Sequence, residues 1–423
     1  MTEDFLHYIW KNRLFNSSDL HTTDGHCLTI IGTGFPHHDA GPDFKQAIVK
    51  IGEITWVGDV EIHINSSDWV KHHHQDDPKY LTVTLHVVFN HDSEIYRTAQ
   101  ERFPTLELKN LIEPSLWQGY CKLALSEQTI ACAAEITNIS SLQFASLCSS
   151  MVIDRLLNKQ KMIFEMLEHC RYDWNETFFR LLTLSFGFKI NVAAFELLGK
   201  SLPFKYLIKH ANTKLQTYAL VFGQSGLLEE KKPEDLYYVS LQNEYQYLKN
   251  KYQLIPIDKK CWNLLRLRPL NFPCIRLAQL CEIVHRHPLL FKRITEENKI
   301  ENYFDWLGCT PHLYWENHFY FGKLSKKHQA SIGKEAIELI IINTIVPALF
   351  AYGYFAGEEQ YQEKAVSLLE KLHFENNYIT RRYQLAGFPC NGALYSQAFL
   401  ELHHRFCTKK KCLNCAIGSH IIM

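Results

Sequence analysis

The segment Ile54–Ile64 (ITWVGDVEIHI) sets the tightest limit on what this chain can fold into. In an extended strand, successive side chains point to opposite faces. Val57, Asp59, Glu61 and His63 then share one face, and Trp56, Val60, Ile62 and Ile64 share the other. A row of acids and an imidazole backed by an apolar row is the pattern of a half-buried strand that carries a site. Such a strand needs a sheet around it.

Neighbouring segments supply that sheet. Cys27–Ile31, Gln46–Ile51 and Leu81–Phe89 have the length and β-branched content of strands. Asp4–Phe15 places Phe5, Ile9, Trp10 and Leu14 on one helical face. Ser66-Ser67-Asp68-Trp69 reads as the capped start of a short helix running through His72–His74. The order is helix, three strands, helix, strand. From Ser115 onward the apolar period becomes helical. Helices are expected over Met151–Glu168, Asn175–Leu184, Leu236–Lys251, Ile275–His285, Ala336–Phe350, Glu358–Leu372 and Leu394–Phe406, with loops such as Lys231–Pro233 and Arg268–Pro273 between them. The reading is an α/β module with a small mixed sheet and flanking helices over 1–114, a large all-α region over 115–389, and a C-terminal helix with a cysteine-rich tail over 390–423.

Composition narrows the function classes. The 423 residues, 46% of them apolar, suffice for two or three domains and a large core. Lys plus Arg and Asp plus Glu balance at 45 each, so any nucleic-acid surface would be a local patch. Ile337–Ala356 matches a membrane span in length, for which ~20 apolar residues are needed. Glu338, Asn343 and Pro347 interrupt it, so it reads as a buried core helix kinked at Pro347, with no membrane partner. The cysteines number 13, an odd count, and most stand singly in apolar stretches. That argues for reduced thiols rather than a disulfide framework. The opening Met1-Thr2-Glu3-Asp4 lacks the basic and apolar pattern of a secretory signal, which points to the cytoplasm.

Chemistry concentrates between residues 43 and 86. Asp43 precedes one strand, and Glu61 and His63 lie on the next. Asp68, His72, His73, His74, Asp76 and Asp77 follow, and His86 sits mid-strand. The carboxylates of Asp43 and Glu61 suit a hard divalent ion, Mg2+ or Mn2+, that neutralises a phosphate and acidifies bound water. His63 would handle the attacking water or ligate a softer ion. Asp68 and His72, one helical turn apart, would assist. A different outcome, convergence of three of His63, His72, His74 and His86, would define a histidine-rich zinc hydrolase. The plain structural alternative is a solvated face at His72–His74 and a hydrogen-bonded core imidazole at His86.

Two further clusters stand apart. Cys407, Cys412 and Cys415 form C-x4-C-x2-C, which suits Zn2+ or an iron-sulfur cluster, with a fourth ligand from Cys390, His404, His420 or a distant cysteine. Arg266, Arg268, Asn271, Arg276 and Gln279 gather near the start of a helix, where guanidinium forks and amides can grip phosphate and bases. A network bracing helices is the competing account of the same five residues.

The Pro-Asp before a strand, followed by acid-x-base on the next, resembles the PD-(D/E)xK nuclease superfamily, with His63 where that motif has Lys. The resemblance implies a restriction-endonuclease-like fold and a metal-dependent phosphodiesterase or nuclease acting on nucleic acid, with Asp43 and Glu61 holding the ion. Some members close the nuclease domain with a terminal iron-sulfur staple. Without turnover, the same cleft would be a nucleic-acid or phospholigand-binding protein. Over nearly its whole length the chain also resembles a bacterial family found largely in Bacteroidetes, domain of unknown function 2851. That likeness rests on AGPDF (40–44), WVGDVEIH (56–63), SSDW (66–69), LHVV (85–88), RPLNFP (268–273) and CLNCAIG (412–418).

Overall fold

The computed structural model describes residues 1–423 except His38, Ala99, Gln100, Lys231, Pro233 and Arg266, and except the side chains of Thr137 and Asn138. Lys231 and Pro233 of one expected loop, and Arg266 of the expected phosphate-binding set, therefore lie outside the described residues. The chain divides into two compact units. One comprises Met1–Leu147, Ala386–Phe388 and Leu402–Met423, and the other comprises Cys148–Leu385 and Pro389–Glu401.

The first unit is built on a mixed sheet. Helix α1 (Glu3–Asn12) starts at Thr2, whose hydroxyl accepts the Phe5 N–H, and stops at Arg13 in the left-handed conformation. Strands β1 (Leu20–His21), β2 (Cys27–Gly32), β3 (Phe35–Pro36), β4 (Phe44–Ile51), β5 (Ile54–Asn65), β6 (Val83–Asn90) and β7 (Thr105–Glu107) follow. They lie in the order β1-β2-β4-β5-β6-β7, with β3 on the flank of β4. Pairing is antiparallel from β1 to β5, then parallel for β5–β6 and β6–β7. The expected succession of helix, three strands, helix and strand is present, with β1, β3 and β7 in addition.

One face of the sheet is sealed by α1. Phe5, Leu6, Ile9 and Trp10 are fully buried against Val49, Val60, Ile62, Leu85 and Val87. Apolar surface removed from water contributes ~25 cal/mol per Å2, so this face is a large favourable term for the unit. Helix α3 (Pro114–Ala124) and the terminal helix Ala416–Ile422 join the same core through Leu116, Leu123 and Ile422. Across the sheet, Trp69, Val83, Ile95 and Phe103 form a second, smaller cluster, and the polar row of β5 lies on this side.

The expected short helix through the histidines is corrected. Helix α2 covers only Asp68–Lys71; His72 is its C-cap, His73 turns left-handed (φ 59°), and His74 opens a 3-10 turn ending at Asp76. The left-handed residue ends the helix and splits the three imidazoles between different directions.

The second unit is helical, as its sequence period requires. Its helices include Trp174–Ser185, Leu236–Tyr252, Pro273–Arg286 and Glu359–Lys371, each within two residues of expectation. Residues Pro273–Val284 are buried without interruption, and the polar side chains Arg276, Gln279 and Glu282 among them are enclosed in hydrogen bonds and ion pairs. The stretch Lys334–Ala356 is long and apolar enough to cross a membrane, yet 67% of its most apolar window is buried inside the protein. Ile341–Ile345 form a π turn just before Pro347. Proline lacks an N–H and crowds the preceding turn, and the widened turn absorbs both faults.

Candidate metal centre

The site is assembled from the polar face of β5 and the turn after α2. Glu61 and His63 are 5% and 2% exposed, and His86, on β6, is fully buried. Parallel pairing sets Glu61 beside His86 and His63 beside Val88. His63 Nδ1 lies 2.9 Å from His86 Nε2, which leaves His63 Nε2 facing His72 and His74. Nε2 is 3.2 Å from His72 Nδ1 and 3.6 Å from Glu61 Oε1, and His74 Nε2 is 3.3 Å from that same oxygen. The donor atoms of His63, His72 and His74 all fall within 4.8 Å of one another.

These separations carry chemical information. With metal–nitrogen bonds of about 2.0–2.1 Å, a tetrahedral ion holds its ligand atoms about 3.3 Å apart. The 3.2 Å between His63 Nε2 and His72 Nδ1 matches such an edge, and the three imidazole donors together lie within 4.8 Å. The residue types fit as well, since neutral imidazoles are the commonest ligands of zinc-class ions. Burial, reinforced by His74 and His72, pushes His63 down to about 4, so its ring is neutral and its lone pair available near pH 7. His74 is lowered by burial and by His72. A hydrogen bond to the outer nitrogen is the usual means of fixing a ligand imidazole, and His86 stands where that bond is needed for His63.

Glu61 has the opposite character. Burial, with the Asp43 charge behind it, raises its carboxyl to about 9. Such a shift favours the protonated form, and positive charge beside the carboxyl opposes it. Tyr80 stacks on His74 at 3.8 Å, and burial followed by the Glu61 charge raises its phenol to about 12.

Asp43 is placed next to the group but committed elsewhere. Its Oδ2 accepts the Ile62 N–H at 2.9 Å and stands 3.2 Å from His7 Nε2, while its own N–H donates to Glu61 Oε2. Asp68 accepts from the Asn65 N–H and from Lys71. Against the cost of burial, these bonds hold its carboxyl below the usual range. Asp59, on the same face of β5, accepts the Gln46 N–H and the Thr82 hydroxyl, securing a bulge where Gln46 has positive φ. Sequence reading did not weigh His7, Tyr80 or Trp69. For His7 a signal existed, because Glu3 and His7 lie one helical turn apart on the polar side of α1.

The residues expected to grip a phosphodiester strand belong to the helical unit. Arg276 is 7% exposed and Gln279 1%. Arg276 donates to Gln279 and Asn271 and lies over the Phe188 ring, and Gln279 donates to the Ala330 carbonyl. Burial lowers the Arg276 guanidinium to about 10. This is a helix-bracing network. Arg268 alone of the described arginines in this set is exposed.

The fold and site together define a mixed-sheet α/β unit with an imidazole–carboxylate centre that runs from buried Glu61, His63 and His86 to exposed His72, followed by a helical unit. The chain belongs to the family described as Protein of unknown function (DUF2851), whose model matches residues 3–378. Comparison with curated proteins and with solved structures finds no match.

Proposed function

We propose that the α/β unit is a metal-dependent phosphodiesterase whose ion is held by His63, His72 and His74, with Glu61 as its proton-transfer group. The convergence of three imidazole donors within 4.8 Å carries this reading. A divalent ion bound there would acidify water and neutralise phosphate charge. Glu61 Oε1, in reach of two of the imidazoles, takes a proton at the centre and returns it to the leaving oxygen. Asp43 acts by orienting Glu61 and the β5 backbone rather than as a ligand. The order of helix, three strands, helix and strand, with Asp43, Glu61 and His63 on paired strands, supports phosphodiesters as the substrate class, nucleic acid included. The abundance of thiols supports a reducing compartment, the cytoplasm.

The test is titration of Zn2+, Mn2+ and Mg2+ into the full chain, with hydrolysis of bis(p-nitrophenyl) phosphate, DNA and RNA measured in parallel. Zinc is expected to bind in preference to Mg2+ and to be lost in His63→Ala and His74→Ala. Glu61→Gln should keep the ion and lose ~100-fold or more in rate. Ion binding that survives His74→Ala, or that depends on Asp43 instead, would sink the ligand set. A second reading, a non-catalytic phospholigand- or nucleic-acid-binding protein, is favoured by the deep burial of Glu61 and His63. Tight ion binding without hydrolysis of any diester would decide for it.

A further inference from the structure

The C-terminal cysteines lie near a fourth, Cys132, from an earlier segment of the same unit. Beyond residue 406 the chain makes two single 3-10 turns, Cys407–Lys409 and Cys412–Asn414, and then the helix Ala416–Ile422. Lys410, left-handed between the turns, donates to the Ser126 carbonyl at 2.7 Å, which pins the tail to the segment after α3. Cys132 lies six residues further along that segment, at the start of the 3-10 turn Ala133–Asn138. Cys132 and Cys412 pack against the same buried core, beside Trp117, Tyr120 and Ile421. Cys407, Cys415 and Cys412 all lie within electrostatic range of Cys132, whose thiol burial pushes well up. Gly418 makes the tight fold possible, since a Cβ there would stand 2.2 Å from the Cys412 carbonyl oxygen.

We infer that Cys132, Cys407, Cys412 and Cys415 are the four thiolate ligands of one metal centre that fastens the C-terminal tail to the α/β unit. Four thiolates suit either an iron-sulfur cluster or a single zinc ion. The centre is independent of the histidines, because the two sites share no residue.

The experiment uses the full chain, purified and reconstituted without oxygen. Iron, zinc and acid-labile sulfide are measured alongside the visible spectrum. With His74→Ala as the background, so that the histidine centre holds no ion, metal is expected to be present, to be lost equally on adding Cys132→Ser or Cys412→Ser, and to be kept on adding Cys148→Ser. Iron with sulfide and a visible band would establish a cluster on this ligand set, and zinc without sulfide a tetrathiolate ion. Since a serine variant can fail to fold, thiol alkylation of the wild type is followed by mass spectrometry with and without chelator. Cys132 should be protected and released together with the three tail cysteines. Metal retained when Cys132→Ser is added to the His74→Ala background, alkylation of Cys132 indifferent to chelator, or no metal in the reconstituted wild type would each overturn the inference.

Discussion

Three histidines follow one another at 72–74, and the backbone sorts them. His72 and His74 turn inward to His63, while His73, left-handed, holds its ring 79% exposed. A non-glycine residue in that conformation costs roughly 1–2 kcal/mol, a cost glycine avoids. His73→Gly is therefore expected to change stability by less than about 1 kcal/mol and to leave zinc affinity intact. His73→Val, β-branched and ill-suited to positive φ, should cost about 1–3 kcal/mol and weaken the ion by displacing both neighbours. Urea denaturation and zinc titration of the two variants check this; equal loss of zinc in both would mean that the His73 ring itself binds. A second residue-scale effect belongs to His287 in the helical unit. Burial, helped by Arg293 and Arg286, lowers its pKa from 6.5 to about 4. Between those values the unfolded chain binds a proton that the folded chain refuses. Its contribution is complete above pH 6.5 and is lost as pH falls toward 4, by on the order of 2 kcal/mol. His287→Leu should flatten the drop in denaturation midpoint between pH 7 and 4.5, and an unchanged slope would refute the assignment. At this scale the sequence identified Glu61, His63 and His72 as chemically charged positions. The alternative of three histidines from His63, His72, His74 and His86 contained the converging set, but which three of the four could not be read, because the turn at His73 depends on one backbone angle.

Among elements, β5 does most to position the site, and its close approach to β6 depends on Gly58. A Cβ at Gly58 would lie 2.3 Å from Thr84 Cγ2 and 2.7 Å from the Thr82 carbonyl oxygen. The register shifts just beyond, between Asp59 and Val60, where Asp59 accepts the Thr82 hydroxyl. Gly58→Ala must push β6 away from β5 at the point from which the strands carry His86 and His63 to each other. It is expected to cost about 1–3 kcal/mol and to lower zinc affinity with it, while Gly52→Ala, with open space around its Cβ position, should leave the ion untouched. Zinc titration of the two variants separates a local effect from general loosening, and full affinity in Gly58→Ala would show that the β5–β6 approach does not set the imidazoles. The polar row of β5 was legible because a period of two needs only one strand to be read. Which strand lies beside it was not legible. The parallel β5–β6 pairing, β7, and the left-handed break after α2 are set by partners distant in sequence and by single dihedrals, and neither leaves a local period.

For the whole chain, the α/β unit is assembled from both ends of the described sequence. Tyr8 Oη and Ser419 Oγ are 2.6 Å apart, and Ile422, 3% exposed, lies in the core that contains Phe5 and Trp10. Gly119 of α3 lets the terminal helix come close, since a Cβ there would sit 3.2 Å from the Ile422 Cα. The sequence showed a cysteine-rich tail but no sign of what it covers, because the apolar residues Ile417 and Ile422 match any core equally well. Their placement has an energetic consequence. Ile422→Ala removes a buried side chain and should cost about 2–5 kcal/mol, and Tyr8→Phe, which leaves Ser419 without its partner, about 1 kcal/mol. Ending the chain at residue 401 uncovers Leu116 and Leu123 together, so the loss should exceed that of any single substitution. Because this core backs the face of β5 opposite His63, the histidine centre should weaken along with it even though no ligand has been removed. Urea denaturation and zinc titration of the shortened chain measure the two losses side by side. A shortened chain that unfolds at the wild-type urea concentration would show that the tail merely rests on the unit; lost stability with zinc affinity unchanged would show that the imidazole geometry is held by β5, β6 and the turn at His73 alone.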